Sequence, residues 1–266
     1  MSKKLISVVS ATHKQRPFLR TWWNGLLVQL ETLDLSKYSI QVCLVIDEET
    51  HEEGKDTCDE LINIIYEDDP TSFPAFKHNG LSLEIVTNEV NEGGPAATTK
   101  ALSMCSGDWI SILDVDDYWL PGKLQKSLEF IEANNLDAVH HDIDCILPNQ
   151  EYRVAAWSKT CWQEDVVTIK RLQEMNTIYT CSFLCKADLV KACPTPLEFS
   201  KKFGYLGDYP LFANIVYNGG KIGWLNENLA TYRDSIGVNT TKREESIAAD
   251  RLIKQWISNG CNRSDL

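Results

Sequence analysis

The chain contains no run approaching the ~20 consecutive apolar residues that a membrane-spanning helix requires. Its start carries no secretory pattern either, since Lys3 and Lys4 are followed by only a short apolar or small stretch before Thr12, His13 and Lys14. Positive charge is scarce: 26 Lys and Arg stand against 38 Asp and Glu in 266 residues, a formal net charge of -12. That excludes a general nucleic-acid binder, because a phosphate backbone needs a basic footprint. An anionic small ligand would need a metal or a few local cations. No CxxC pair occurs among the nine cysteines. Their odd number, and the placing of Cys43, Cys105, Cys145 and Cys185 in apolar segments, predict buried reduced thiols rather than a disulfide framework, and with them a cytoplasmic setting. Zinc held by Cys181 and Cys185 with His140 and His141 is disfavoured, because the four-residue Cys spacing reads as strand. Repeats, low-complexity tracts and interdomain linkers are also lacking, which predicts one α/β domain over residues 1–266.

What the chain does have is Leu113-Asp114-Val115-Asp116-Asp117-Tyr118-Trp119, three carboxylates directly after the apolar run Trp109 to Leu113. The run reads as a buried parallel strand. Pro121 then opens a segment with Leu124, Leu128 and Ile131 at helical spacing, so the acids fall in a strand-to-helix loop. In open α/β sheets that is the carboxyl edge, where ligands bind. Three acids this close repel one another unless a cation or hydrogen-bond donors offset them, which favours a hard-metal site over a solvated acidic turn. A helix-loop-helix calcium site is excluded because Tyr118 and Trp119 stand where its ligands and Gly would be. A phospho-aspartate phosphatase would place an Asp after the first strand, and residues 5 to 12 contain none.

The remaining elements repeat that grammar. A first strand, Leu5 to Ala11, ends in Thr12-His13-Lys14, and Pro17 opens a helix. A second, Ile40 to Ile46, ends in Asp47-Glu48-Glu49 before an amphipathic stretch that closes near Tyr66. Residues 67 to 80 read as an exposed connection. A third strand, Leu81 to Val86, leads into Asn91-Glu92-Gly93-Gly94-Pro95 and a small-residue helix whose start offers free N–H groups to an anion. Four βα units in succession predict a predominantly parallel twisted sheet with helices on both faces. Farther on the pattern thins. Strands are expected over Asp137 to Leu147, Ile178 to Cys185, Lys221 to Leu225 and Leu229 to Tyr232, and helices over Tyr209 to Tyr217 and Ser246 to Trp256. Pro148 to Lys170 has little periodicity.

The ordered set of motifs resembles the inverting GT-A glycosyltransferases of family 2, over roughly residues 5 to 239. Ile6 to Thr12 is similar to the family's first strand, Asp47 to the acid after the second, and Asn91 to Gly94 through Ser106-Gly107-Asp108 and Asp114-Val115-Asp116-Asp117 to its long central signature. The resemblance implies a Rossmann-like GT-A domain, mostly parallel sheet flanked by helices with a small antiparallel acceptor-side portion. Residues 1–120 would bind the nucleotide sugar, 121–240 the acceptor, and 241–266 would form a C-terminal helix. It further implies Asp208, in Gly207-Asp208-Tyr209, as general base, and Asp116 with Asp114 as ligands of Mn²⁺ or Mg²⁺. Donor contacts are implied for Ala11, Thr12, Arg16, Asp47, Gly94, Asp114, Val115 and Asp116, and acceptor contacts for Trp119 and Gly207. The partners would be a UDP or GDP sugar and a glycan or lipid-linked acceptor; peripheral membrane contact is compatible with the latter.

Some positions depart from the family pattern. Thr98-Thr99 replaces Arg-Asn, Gly207 replaces the first acid of the pair before the acceptor helix, and Asp234-Ser235 stands where a His often reaches the metal or diphosphate. Arg233 or Lys242 is then expected to contact the diphosphate. Asp208 has a second reading as a helix N-cap, Trp119 and Trp157 one as core residues, and His13, Lys14 and Arg16 one as a solvated loop. One of His140 and His141 should line the cleft, since adjacent strand side chains face opposite ways. Two other functions share parts of the pattern. A nucleotidyltransferase also binds a nucleotide and a carboxylate-held metal, but usually carries a Gly-rich basic loop after the first strand, and residues 12 to 16 contain no Gly. A non-catalytic nucleotide-sugar binding module is the third reading.

Overall fold

The structure is a computed structural model that describes residues 3–70, 77–146, 152–153, 163–204, 207–233 and 243–266. Strand β1 (Lys4–Thr12) pairs in parallel with β2 (Tyr38–Ile46) on one side and β5 (Trp109–Ile112) on the other, and β2 pairs in parallel with β4 (Leu81–Thr87). This is the parallel half that the βα succession predicts. The short β3 (Lys77–His78) caps its edge antiparallel to β4.

The second half adds mixed pairing. Strand β9 (Leu184–Lys186) runs antiparallel to both β5 and β7 (Ala138–Ile146), β10 (Ile222–Arg233) runs parallel to β7, and β6 (Tyr118–Trp119) closes antiparallel on β10. The order across the sheet is β3-β4-β2-β1-β5-β9-β7-β10-β6, with β8 (Tyr152–Arg153) pairing off β7. Two expectations change here. The segment Ile178 to Cys185 is not one strand, because a 3-10 turn over Thr180–Ser182 precedes β9. The two short strands expected between Lys221 and Tyr232 are one, with register shifts between Leu225 and Ala230 that absorb Asn226, Glu227 and Leu229.

Alternation along the strands sorts the core onto two faces. Ile6 and Val8, with Val42, Leu44 and Ile46, meet Trp22, Trp23 and Leu26 of α1 (Leu19–Leu30), Leu61 and Ile65 of α2 (His51–Asp68), and Leu124 and Leu128 of α4 (Lys123–Asn134). Val9, Cys43 and Val45 face the other way. They meet Ala97 and Ala101 of α3 (Gly94–Met104) in a layer completed by α5 (Ile169–Glu174), α6 (Ala187–Ala192), α7 (Pro196–Phe203), α8 (Asp208–Tyr217) and α9 (Arg243–Ser258). Small residues on α3 let it lie close to the strands, and Phe199 and Phe203 of α7 wedge against Trp256 of α9 with ring centroids 5.7 and 5.6 Å away. Gly54 on α2 permits a similar approach: a Cβ there would fall 2.4 Å from Thr87 Cγ2.

The eight described cysteines are free thiols, as expected for a chain without a disulfide framework. Among the described residues no helix is long and apolar enough to cross a membrane.

Candidate active site

Four loops converge at the carboxyl edge: those after β1, β2, β4 and β5. The loop after β5 is built by hydrogen bonds to its neighbours. Leu113 donates its N–H to Val9 O at 2.9 Å, Ser10 Oγ donates to Leu113 O at 2.7 Å, and Asp117 N–H closes a turn on Asp114 O at 3.0 Å. Val115 is fully buried, so only its backbone is available to a ligand. Strand β10 covers the loop from behind: Arg233 N–H donates to Asp117 Oδ1 at 2.8 Å, and Arg233 Nε to Asp116 O at 3.2 Å. The Arg233 guanidinium also stacks 4.5 Å above the Phe18 ring.

The three acids of this loop divide into two roles. Asp117 is 1% exposed, and burial, with Asp116 and Asp114 nearby, pushes its carboxyl well above the usual range, while the Arg233 N–H and Cys181 work in the opposite direction. It belongs to the scaffold. Asp114 and Asp116 are only partly buried. Asp114 is pushed up to about 7 by burial and by the charges of Asp116 and Asp208, while a hydrogen bond from Thr180 works in the opposite direction. The base of the site therefore includes Thr180 of the 3-10 turn, which no sequence pattern flagged.

Asp208 opens α8. Gly207 is its N-cap, so Asp208 is the first helical residue and not the cap. Burial raises its carboxyl, and N–H donation from its own backbone and that of Tyr209 partly offsets the rise. Because Asp208 is close enough to lift Asp114, the fold brings the acid of α8 to the acids after β5 across about ninety residues of sequence. A Cβ at Gly207 would sit 3.3 Å from Pro196 O, which leaves little space there for any larger residue.

Asp47, after β2, is 1% exposed and organises the loop after β4. Its Oδ1 accepts from Asn88 Nδ2 at 2.6 Å and Glu92 N at 2.8 Å, its Oδ2 from Gly93 N at 2.9 Å, and its carbonyl from Asn91 Nδ2 at 2.8 Å. Gly93 takes φ 87°, the left-handed region that glycine enters without strain. Lys100 reaches back from α3 to Asn88 Oδ1 and, at 3.3 Å, to Glu92. Gly94 is exposed at the start of α3, with nothing within 4 Å of where its Cβ would be. Thr12 ends β1 almost fully buried, its Oγ1 without a hydrogen-bond partner, beside the half-buried Ala11.

Several expected contacts are differently employed. Arg16 pairs with Glu60 at 2.9 Å and Asp56 at 3.8 Å on α2, so a donor contact would require it to leave both. His13 and Lys14 pair with Glu49 at 3.3 and 2.6 Å. Trp119 is not an acceptor platform: it is 1% exposed in the core, its Nε1 donates to Cys181 O at 2.7 Å, and Lys123 Nζ lies 4.2 Å from its ring. The sequence signal for stacking, an aromatic after an acid loop, was answered by an inward β6. His140 and His141 are 1% and 3% exposed, so neither lines the cleft. Burial drives His140 down to about 3 and His141 further below its ordinary value, which leaves both neutral. Trp157, Asp234, Ser235 and Lys242 lie outside the described residues.

Among the described residues no three His, Cys, Asp or Glu side chains converge as a metal site. Two neighbouring carboxylates, Asp114 raised first by burial and then by the charge of Asp116, still fit a hard divalent cation. Such an ion would take Asp114 and Asp116 from the protein and its remaining ligands from donor oxygens or water.

The model for glycosyl transferase family 2 matches residues 7–190. The chain belongs to this family. A 30% identical stretch of 81 residues, 30% of this chain and 32% of its relative, aligns with the UDP-Glc:alpha-D-GlcNAc-diphosphoundecaprenol beta-1,3-glucosyltransferase WfgD of Escherichia coli. An uncharacterized glycosyltransferase of Haemophilus influenzae is 27% identical over 160 residues, 60% of this chain and 55% of the relative. The family-2 chain thus spans between about a third and a little over half of these two curated relatives. In fold it is similar to S. aureus TarS 1-349, solved in complex with UDP-GlcNAc, with TM-score 0.64 and 18% identity over 95% of this chain and 65% of that one. This likeness bears out the α/β architecture, a mostly parallel mixed sheet flanked by helices.

Proposed function

We propose that the protein transfers a sugar from a nucleoside-diphosphate sugar to an acceptor hydroxyl, with inversion at the anomeric carbon. The observation that carries the reading is the placing of Asp114 and Asp116 in the loop after β5 and of Asp208 at the start of α8, near enough for the charges of Asp116 and Asp208 both to act on Asp114. Asp208 is the general base: burial raises its carboxyl towards working pH, where proton acceptance from a hydroxyl is most effective. It takes the acceptor proton as the oxygen attacks the anomeric carbon from the side opposite the diphosphate. Asp116 and Asp114 hold Mn²⁺ or Mg²⁺, which when bound supplies Lewis-acid neutralisation of the leaving diphosphate.

Uridine is the favoured nucleoside. Three of the accepting positions on the Asp47 carboxylate are filled by Asn88, Glu92 and Gly93, which leaves Oδ2 room for a single further N–H. Uracil presents one such donor, whereas guanine presents an N–H and an adjacent amino group and so asks for two acceptors. The UDP-GlcNAc complex of the structural neighbour and the UDP-Glc donor in the WfgD name point the same way. The acceptor is a glycan or lipid-linked saccharide, in line with the diphosphoundecaprenol acceptor of that relative.

A mass-spectrometric transfer assay tests this with UDP-glucose, UDP-N-acetylglucosamine and GDP-mannose, with and without Mn²⁺. Metal-dependent transfer or donor hydrolysis with a UDP sugar, lost in Asp208→Asn, is expected. Metal-dependent UDP binding with neither reaction on prolonged incubation would instead assign a non-catalytic nucleotide-sugar binder.

A further inference from the structure

Asp47 is followed by a second buried carboxylate whose contacts run to a different loop. Glu48 is 4% exposed; its Oε2 accepts the backbone N–H of Lys14 at 2.8 Å, and its Oε1 accepts the Thr57 hydroxyl of α2 at 3.2 Å. Lys14 has φ 58°, a left-handed conformation that a residue with a Cβ adopts at a cost. That backbone therefore needs something to hold it, and the buried Glu48 carboxylate is the group that does. Besides this bond the loop's side chains are held by the His13–Glu49 and Lys14–Glu49 pairs and by Arg16 with Glu60 and Asp56, all in reach of solvent. At the loop's beginning Asp47 N–H donates to Thr12 O at 2.9 Å, continuing the β1–β2 ladder by one bond.

Asp47 and Glu48 thus act on two walls from one strand end. The Asp47 carboxylate takes the backbone amides of Glu92 and Gly93, and the Glu48 carboxylate takes the backbone amide of Lys14. We propose that Glu48 is a positioning residue of the donor site: acting through the Lys14 amide, it sets the shape of the Thr12–Arg16 loop, and with Asp47 it fixes the spacing between the two loops that receive the nucleoside diphosphate. The inference rests on the donor-site reading given above. Glu48 itself touches no donor, and its effect is carried by geometry rather than by charge. A glutamine can reproduce that geometry, because its carbonyl oxygen can accept from Lys14 N–H while its amide nitrogen donates to Thr57 Oγ1.

The test uses the full chain in three variants, Glu48→Ala, Glu48→Gln and Thr57→Val, with two readouts. Amide hydrogen exchange of residues 12–16 reports the loop without reference to any donor. Calorimetric UDP affinity with Mn²⁺, together with KM and kcat for UDP-N-acetylglucosamine turnover, reports the donor site. Glu48→Ala is expected to expose the Lys14 amide to exchange and to weaken UDP binding and raise KM by the order of tenfold, with kcat within about twofold. Glu48→Gln should stay within about threefold of the parent in both readouts, and Thr57→Val should fall between them. Unchanged exchange at Lys14 in folded Glu48→Ala would overturn the clamp. So would faster exchange with unchanged UDP affinity, or a Glu48→Gln defect as large as that of Glu48→Ala. If Glu48→Ala does not fold, Thr57→Val decides, and parental exchange and KM in that variant refute the proposal. A parent that binds no UDP and turns over no UDP sugar refutes the donor-site reading instead, and the exchange data still show whether Glu48 holds the loop.

Discussion

Replacing Asp47 with asparagine should cost far more than the loss of one charge suggests. The carboxylate is 1% exposed and accepts three N–H groups, two on Oδ1 and one on Oδ2. An asparagine keeps one oxygen, so whichever way it turns, at least one N–H faces an amide NH₂. A hydrogen bond to a charged group contributes about 1.5–3 kcal/mol, and a buried donor left without an acceptor costs roughly 1–3 kcal/mol more. The sum is ~2.5–6 kcal/mol. For a domain of this size ~1 kcal/mol corresponds to about 2–4 °C, so thermal unfolding should drop by roughly 5–24 °C. Partial relaxation of the half-exposed Glu92–Gly93 backbone into water would bring the result towards the lower end. Differential scanning calorimetry with and without UDP measures both halves of the effect, since a ligand that needs the ordered loop should also lose its stabilisation of the protein. A variant melting within 2 °C of the parent and still stabilised by UDP would refute the clamp.

Asp208→Asn should lower transfer by ~10²- to 10⁴-fold while leaving UDP affinity within about threefold, read by single-turnover kinetics and calorimetry. Metal-free protein should lose stability as pH rises from about 4 to about 7, because Asp114 is held protonated in the fold up to about 7 and must ionise above it. Each pH unit across that window is worth at most ~1.4 kcal/mol, so Mn²⁺ should raise the melting temperature more at pH 7.5 than at pH 5, and Asp116→Asn should erase the difference. Lys123, buried at 0% exposure and pushed down to about 7, gives the opposite slope: stability should rise between about 7 and 10.5, and Lys123→Met should flatten that limb in urea titrations across pH.

The parallel half was readable because its signals are local. Apolar runs end in polar groups, prolines open helices, and the elements found start and stop within a few residues of those expected, as with Ile40 to Ile46 against Tyr38–Ile46. The second half resisted because its determinants are contacts rather than patterns. The strand expected over Ile178 to Cys185 failed at Thr180–Ser182, where Trp119 Nε1 and Lys123 Nζ take the carbonyls of Cys181 and Phe183 and the chain turns to meet them. Helix α7 did leave a legible mark that went unread, the capping box Thr195-Pro196-Leu197-Glu198. Of the site, Asp114 and Asp116 lie in the loop after β5 and the charge of Asp208, at the start of α8, reaches Asp114. Thr180 carries no motif and enters only by folding. Trp119 misled because an aromatic beside an acid loop has the same sequence signature whether it faces a sugar or the core.

The two ends of the acidic loop are stabilised by different means, and this bears on how the site can work with few metal ligands. At its protein-facing end Asp117 is buried and fixed by Arg233 N–H. At its open end the charges of Asp116 and Asp208 both reach Asp114, Thr180 donates to Asp114, and backbone N–H groups of α8 donate to Asp208. A divalent cation and a diphosphate would suit these carboxylates together, since Asp114 and Asp116 give the cation two ligands, the diphosphate oxygens give it more, and a diphosphate without the cation would meet like charge. Donor and metal binding should therefore be strongly coupled, each tightening the other by the same factor. Calorimetric titrations of UDP at fixed Mn²⁺, and of Mn²⁺ at fixed UDP, should return matching enhancements, and independent binding of the two would mean that Asp114 and Asp116 serve some other cation or none.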